Sequence, residues 1–180
     1  MKRFLVAACC LALASTAFAQ QKTPASPPEQ ATATIGGKTV TINYSSPGVK
    51  GREGKIFSSD GLISHDPHYP VWRAGANSAT ALHTDGDLTI GDLAVPAGDY
   101  TLFVDISNPD RWTLIVSKAT KEWGLKYDSA QDLGKTPMTM SKPSSMVENL
   151  KWTITDLHGG KGKITFAWED HSAAVSVNAH

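Results

Sequence analysis

The segment Val71–Thr80, VWRAGANSAT, combines polar and aromatic groups that are able to bind a ligand. Arg73 carries a planar guanidinium whose donors suit a carboxylate or phosphate, and Asn77 both donates and accepts through one amide. Trp72 and the more distant Trp123 fall outside regular strand alternation. We therefore predict a ligand-binding surface that includes Trp72, Arg73, Asn77 and Trp123. A structural role for these residues is at least as well supported by the sequence alone. In that role, Arg73 and Asn77 satisfy backbone groups and Trp72 fills a core edge.

Two histidines raise the question of a metal site. His65 and His68 flank Asp66-Pro67, which places two imidazoles and a carboxylate within four residues. Metal sites usually need a third or fourth ligand in a defined geometry. A solvated loop is therefore the preferred interpretation, with His65 and His68 as weak metal candidates, and no cofactor is predicted.

Known catalytic signatures are missing from the sequence. It contains no Gly-x-Ser-x-Gly elbow, no Ser-x-x-Lys pair and no His-Glu-x-x-His helix motif. Gly134-Lys135-Thr136 resembles the end of a phosphate-binding loop, but Ser129 stands where the first glycine is required. The paired carboxylates of a glycoside hydrolase are distant in sequence and have no local signature. No catalytic residue is predicted, and a hydrolase remains an alternative.

The elements that must position these residues are strands. Lys38–Tyr44 alternates, with Val40, Ile42 and Tyr44 on one face, and Gly36-Gly37 predicts a hairpin to a preceding strand. Turns as short as Asp85-Gly86 cannot hold a crossover helix, so neighbouring strands should pair antiparallel. The other predicted strands are Ala31–Ile35, Ala79–Thr84, Asp87–Ile90, Tyr100–Ile106, Arg111–Ser117, Leu150–Thr155, Lys163–Trp168 and Ala174–Val177.

This pattern predicts an all-β fold, an antiparallel two-layer β-sandwich with a partly closed barrel as the alternative. The one short helical candidate is Ala119–Tyr127, which contains a helix-destabilising glycine. Trp112, Trp152 and Trp168 share strand faces with aliphatic residues, so we expect all three in the core.

The N-terminus predicts export. Lys2 and Arg3 precede an apolar stretch over 4–13, and Ala17-Phe18-Ala19 supplies the small residues of a signal-peptide cleavage site. The stretch is shorter than the ~20 residues of a membrane span. We predict cleavage after Ala19 and a periplasmic or secreted protein. Acylation at Cys9 is the alternative, although it leaves only a very short hydrophobic segment.

Cleavage after Ala19 changes the composition of the chain. Both cysteines, Cys9 and Cys10, lie in the removed segment, so the mature chain has no thiol for disulfides or metal binding. Basic residues fall from 17 to 15 against 17 acidic ones, a net charge of −2. Nucleic acid is therefore not an expected partner. We assign 1–19 as signal peptide, 20–30 as flexible linker and 31–180 as a single β domain without a transmembrane segment.

Six segments carry a resemblance to a known family. They are Val40–Phe57, Val71–Thr80, Leu88–Val104, Arg111–Lys118, Glu122–Gly124 and Ile164–Asp170. Together they resemble the exported bacterial "domain of unknown function 2911" family. The resemblance covers nearly the whole mature chain and implies an exported bacterial protein with a mainly β fold. It supplies no activity.

Three functions are compatible with these observations. The preferred one is a non-catalytic exported β-sandwich that binds a polar small molecule, a glycan or a partner protein. The alternative is a hydrolase acting on envelope or extracellular carbohydrate. The third is an interaction module whose exposed sheet edge pairs with another chain.

Overall fold

A computed structural model describes residues 24–180, and these form an all-β protein. The described residues contain thirteen strands and two short 3-10 helices, Ile63–His65 and Ser129–Gln131, but no α-helix. The strands are β1 Pro28–Ile35, β2 Lys38–Ser45, β3 Val71–Trp72, β4 Thr80–Thr84, β5 Leu88–Ile90, β6 Leu93–Val95, β7 Gly98–Asp105, β8 Thr113–Ser117, β9 Asp132–Pro137, β10 Thr139–Ser141, β11 Val147–Asp156, β12 Lys161–Glu169 and β13 His171–Ala179.

The first sheet has the antiparallel order β1-β2-β4-β7-β8-β9. Its first hairpin follows from two glycines: Gly36 and Gly37 have φ angles of 56° and 83°. These left-handed conformations match the twist of the flanking strands and pair Ile35 with Lys38. Strand β3 also pairs with β7, beyond the end of β4.

The second sheet has the order β11-β12-β13-β5-β6, and β10 pairs with β13. Its neighbouring strands are also antiparallel. The two sheets pack face to face, and no closed barrel forms among the described residues. The two-layer β-sandwich is therefore confirmed.

The core lies between the two sheets and follows the predicted alternation. Val40 and Ile42 are fully buried. Trp112, Trp152 and Trp168 are 2%, 1% and 0% exposed, which confirms their assignment to the core. Because residues 24–180 contain no cysteine, no disulfide links them, and this aromatic and aliphatic core must supply most of the stability.

Three features differ from expectation. The turn Asp85-Gly86 connects β4 of the first sheet to β5 of the second, so these two strands do not pair with each other. The helical candidate Ala119–Tyr127 is irregular, and Trp123 within it forms an isolated β-bridge with Ser78. Strand β1 begins at Pro28, so the last three residues of the predicted linker are paired with β2.

The predicted signal peptide, 1–19, lies outside the described residues. Within the described range, no helix is both long and apolar enough to span a membrane.

Candidate functional site

Residues 73–79 form an excursion from the first sheet. Trp72 pairs with Val104 and Thr80 pairs with Leu102 on the same strand, so the chain leaves the sheet after Trp72 and rejoins it at Thr80. Within the excursion, Ala74 and Asn77 are left-handed, with φ angles of 50° and 60°. Asparagine adopts this conformation more readily than most residues, whereas for alanine it is unusual.

Hydrogen bonds to the core fix the excursion. The carbonyl of Ala74 accepts from Trp152 Nε1 at 3.0 Å and from Thr80 Oγ1 at 3.1 Å. The amide of Ala76 donates to the carbonyl of Ser45 at 3.2 Å. These contacts stabilise the strained backbone and set the direction of Arg73.

A cleft of about 420 Å³ lies beside the excursion. Three of its lining side chains are cationic (Lys50, Arg52 and Arg73) and one is a carboxylate (Asp66). The remaining lining residues are mostly apolar or small, apart from Ser26 and His65. They are Ala25, Ser26, Pro47, Gly48, Leu62, Ile63, His65, Trp72, Gly75, Ala76, Leu125 and Trp168.

Arg73 and Asp66 form a largely buried ion pair at the cleft. Arg73 Nη1 lies 3.2 Å from Asp66 Oδ2, and the two side chains are 19% and 5% exposed. Burial lowers the pKa of Arg73, and the negative charge of Asp66 opposes this effect. The guanidinium remains protonated, because an arginine pKa lies far above neutral pH. Arg73 Nε is buried and has no hydrogen-bond partner among residues 24–180.

The other two cations come from the loop that follows β2. Arg52 donates from Nε to the carbonyl of Val49 at 2.8 Å and from Nη2 to that of Gly48 at 2.6 Å. Lys50 Nζ donates to the carbonyl of Ala25 at 2.7 Å. Arg52 therefore shapes its own loop, and Lys50 connects this loop to the N-terminal end of the described chain.

Gly124 packs directly behind Arg73. A β-carbon on Gly124 would lie 2.1 Å from Arg73 Cδ and 2.4 Å from the carbonyl oxygen of Asn77. The Gly124 amide donates to that carbonyl at 3.1 Å. Because Gly124 has no side chain, residues 122–124 can pack closely against Arg73.

The structure places the four predicted ligand-binding residues in two environments. Trp72 and Arg73 line the cleft, whereas Asn77 and Trp123 belong to the contact that supports Arg73 and do not line it. Trp72 is only 3% exposed and stacks on Trp168 with ring centroids 5.8 Å apart. Trp123 is 53% exposed. Any ligand in the cleft would therefore contact Arg73 far more than either tryptophan.

His65 and His68 make separate contacts with loop backbone. His65 Nδ1 lies 2.8 Å from the carbonyl oxygen of Gly61. The amide of Tyr127 donates to His68 Nε2 at 3.3 Å, and the carbonyl of Leu125 lies 3.1 Å from the same nitrogen. His65 lines the cleft, whereas His68 does not.

Sequence reasoning missed three cleft residues. Lys50 and Arg52 lie in a glycine-rich loop without strand periodicity, and the position of Asp66 between two histidines points to metal binding, not to an ion pair with Arg73. The spacing of Asp66 and Arg73 carries no recognisable motif. The sequence offers one signal for these charged residues, namely loops of mixed charge on each side of the excursion. Such loops are too common to identify a site.

A comparison with family models matches residues 26–177 to the family described as "Protein of unknown function (DUF2911)", and the chain belongs to this family. No curated protein and no solved structure matches the chain. Three of the segments that carry the resemblance meet at the cleft. Val40–Phe57 supplies Lys50 and Arg52, Val71–Thr80 supplies Arg73, and Ile164–Asp170 supplies Trp168.

Proposed function

We propose that this member of the DUF2911 family is a binding protein for a small organic anion, which the cleft holds. The observation that carries the proposal is the excess of cationic over anionic side chains lining the cleft: Lys50, Arg52 and Arg73 against Asp66. The volume of about 420 Å³ lies within the range of small-molecule sites, roughly 300–1,000 Å³.

Arg73 is the residue best suited to recognise the anion. Its planar guanidinium can bind a carboxylate or phosphate through two parallel hydrogen bonds, and Asp66 restricts its rotation. Partial burial strengthens such contacts because less water screens them. The apolar part of a ligand would pack against Ile63 and Leu62.

The same arrangement favours binding over the alternative of carbohydrate hydrolysis. Glycoside hydrolysis generally uses two carboxylates that flank the scissile bond. Among the described residues that line the cleft, Asp66 is the one carboxylate, and it is bound to Arg73. We therefore propose recognition without bond cleavage.

Binding can be tested with the purified chain 20–180 by thermal shift and calorimetry. The probes are inorganic phosphate, a sugar phosphate, mono- and dicarboxylic acids, a uronic acid and a neutral sugar. We expect an increase in Tm with at least one anion and none with the neutral sugar. Binding should weaken with added salt, because exposed charges are screened.

Arg73→Lys is the informative variant because it keeps the positive charge beside Asp66 and removes the two-pronged geometry. We expect binding to weaken about tenfold or more. Arg111→Lys is the matched control, since Arg111 is exposed and lies outside the cleft lining. The proposal would be contradicted if none of these anions binds. It would also be contradicted if Arg73→Lys binds with the same affinity as the wild type.

A further inference from the structure

The turn between β12 and β13 places three side chains of metal-binding type together. Trp168 pairs with His171, so Glu169 and Asp170 form a two-residue turn. One ligand atom from each of Glu169, Asp170 and His171 lies within 4.8 Å of the others. We propose that these three residues bind a divalent transition-metal cation. The site is separate from the proposed anion cleft, whose lining does not include them.

The first argument is the burial of a carboxylate. Glu169 is 4% exposed, and its Oε1 accepts a hydrogen bond from the amide of Gly54. Among the described residues, no lysine, arginine or histidine pairs with Glu169 in a salt bridge. Buried charges are normally paired or coordinate metals. A cation at the turn would compensate the charge of Glu169.

The second argument is an imidazole nitrogen without a hydrogen bond. His171 Nδ1 is buried, and no group in residues 24–180 makes a hydrogen bond with it. Asp170 Oδ1 lies 2.6 Å away, but the two groups are not oriented for a hydrogen bond. A metal ion bound by both atoms would satisfy the nitrogen.

The third argument is the rigid position of the histidine ring. It stacks on Trp112 with an interplanar angle of 9° and a centroid distance of 5.4 Å. Phe57 lies 4.5 Å from it, measured between ring centroids. A ring held in this way loses little side-chain freedom when it binds a ligand, so less entropy opposes binding.

The donor set indicates the class of metal. One imidazole and two carboxylates suit Zn²⁺ and related first-row ions, with metal–ligand distances of about 2.0–2.2 Å. Two ligand atoms of a tetrahedral ion are therefore about 3.4 Å apart. The ligand atoms of the three residues lie within 4.8 Å of one another, so metal binding would draw them closer together by side-chain rotation. Three protein ligands would leave at least one coordination position for water.

A simple ion pair is the competing explanation. A protonated His171 beside Asp170 would account for the 2.6 Å contact, and Lys142 Nζ lies 3.6 Å from Asp170 Oδ2. Neither pair involves Glu169. The ion pair alone thus leaves the buried carboxylate without a cation.

The test uses the tag-free chain 20–180 after EDTA treatment, titrated with ZnCl₂ and, for visible absorption, CoCl₂. We expect one equivalent to bind and Tm to increase with free Zn²⁺, because a ligand of the folded state stabilises it. Asp170→Asn, His171→Gln and Glu169→Gln should each weaken Zn²⁺ binding about tenfold or more, at least the loss seen for outer-shell partners.

The control is the other close His–Asp pair, His83 and Asp99, whose contact is 2.7 Å and whose side chains are 49% and 72% exposed. His83→Gln should bind Zn²⁺ like the wild type. Each variant is compared with its own EDTA-treated form, which separates metal binding from a general loss of stability. Absence of a Zn²⁺-dependent shift in the wild type, or unchanged binding in the three turn variants, would overturn the proposal. Loss of binding in His83→Gln would do so as well.

Discussion

At the scale of single residues, burial distinguishes the five tryptophans more sharply than sequence position. Trp112 is 2% exposed, and its ring centroid lies 5.0 Å from that of Phe57 and 5.7 Å from that of Phe166. Trp123 is 53% exposed. The same residue type therefore fills the core at one position and covers a loop contact at another.

Trp112→Ala should lower the free energy of unfolding by about 3–5 kcal/mol, because the large cavity cannot be refilled by its neighbours. Urea denaturation followed by circular dichroism measures this change. Trp123→Ala is the matched control and should cost about 1 kcal/mol or less. Similar losses in the two variants would contradict the role of Trp112 in the core.

At the scale of elements, the segment 119–131 covers the outer face of the first sheet. Tyr127 packs on Phe103 with ring centroids 4.9 Å apart, and its hydroxyl donates to Asp132 Oδ2 at 2.8 Å. Burial raises the pKa of Tyr127, and Asp132 raises it further. Burial alone would lower the pKa of Lys135, beside this pair, but Tyr127 and Asp132 together outweigh burial, and the pKa is raised.

These shifts predict a loss of stability at alkaline pH. Because the folded-state pKa of Tyr127 exceeds the ordinary value of 10.0, the unfolded chain loses the proton first. The stabilisation is therefore complete below about pH 10 and is lost as pH rises through the folded-state pKa. Tyr127→Phe should make unfolding free energy less dependent on pH above about pH 10.

Urea unfolding between about pH 9 and about pH 11 measures this dependence. Tyr69→Phe, at a tyrosine that is 42% exposed, is the control and should leave the wild-type slope unchanged. Parallel curves for Tyr127→Phe and the wild type would show that Tyr127 does not contribute.

Strands were predictable from the sequence where polar and apolar side chains alternate. They were not predictable where a segment becomes a strand only by pairing with a neighbouring strand. The pattern in β2 identified Val40 and Ile42 correctly, because each inward position is apolar. In contrast, β9 has the sequence DLGKTP, whose glycine and proline are typical of loops. It is a strand because it pairs with β8, and no local signal carries that information.

At the scale of the whole molecule, we propose different roles for the N-terminal sequence and the described β domain. The domain buries its core without cysteines, which suits a chain whose two cysteines lie at positions 9 and 10. We propose that residues 1–19 direct export to the periplasm or beyond and are then removed. The anion cleft would then face a compartment outside the cytoplasm.

Expression in a bacterium should yield an exported chain that begins at Gln20. Intact-mass measurement of the protein released from the periplasm tests this, and Ala19→Arg should block cleavage because the site requires a small residue. Cys9→Ser is the control and should be processed normally. A lipid-modified Cys9, or a mature chain that retains residues 1–19, would contradict the assignment.

The sequence alone determined the fold class and the hydrophobic core. These depend on hydrophobic alternation and turn residues, which act between near neighbours and can be read along the chain. Only the tertiary structure decided which charges meet. Lys50, Asp66 and Arg73 share a cleft because the loop after β2 and the excursion beside β7 lie at the same end of the sandwich. Their proximity depends on strand register and loop packing, which bring distant positions together without any periodic signal.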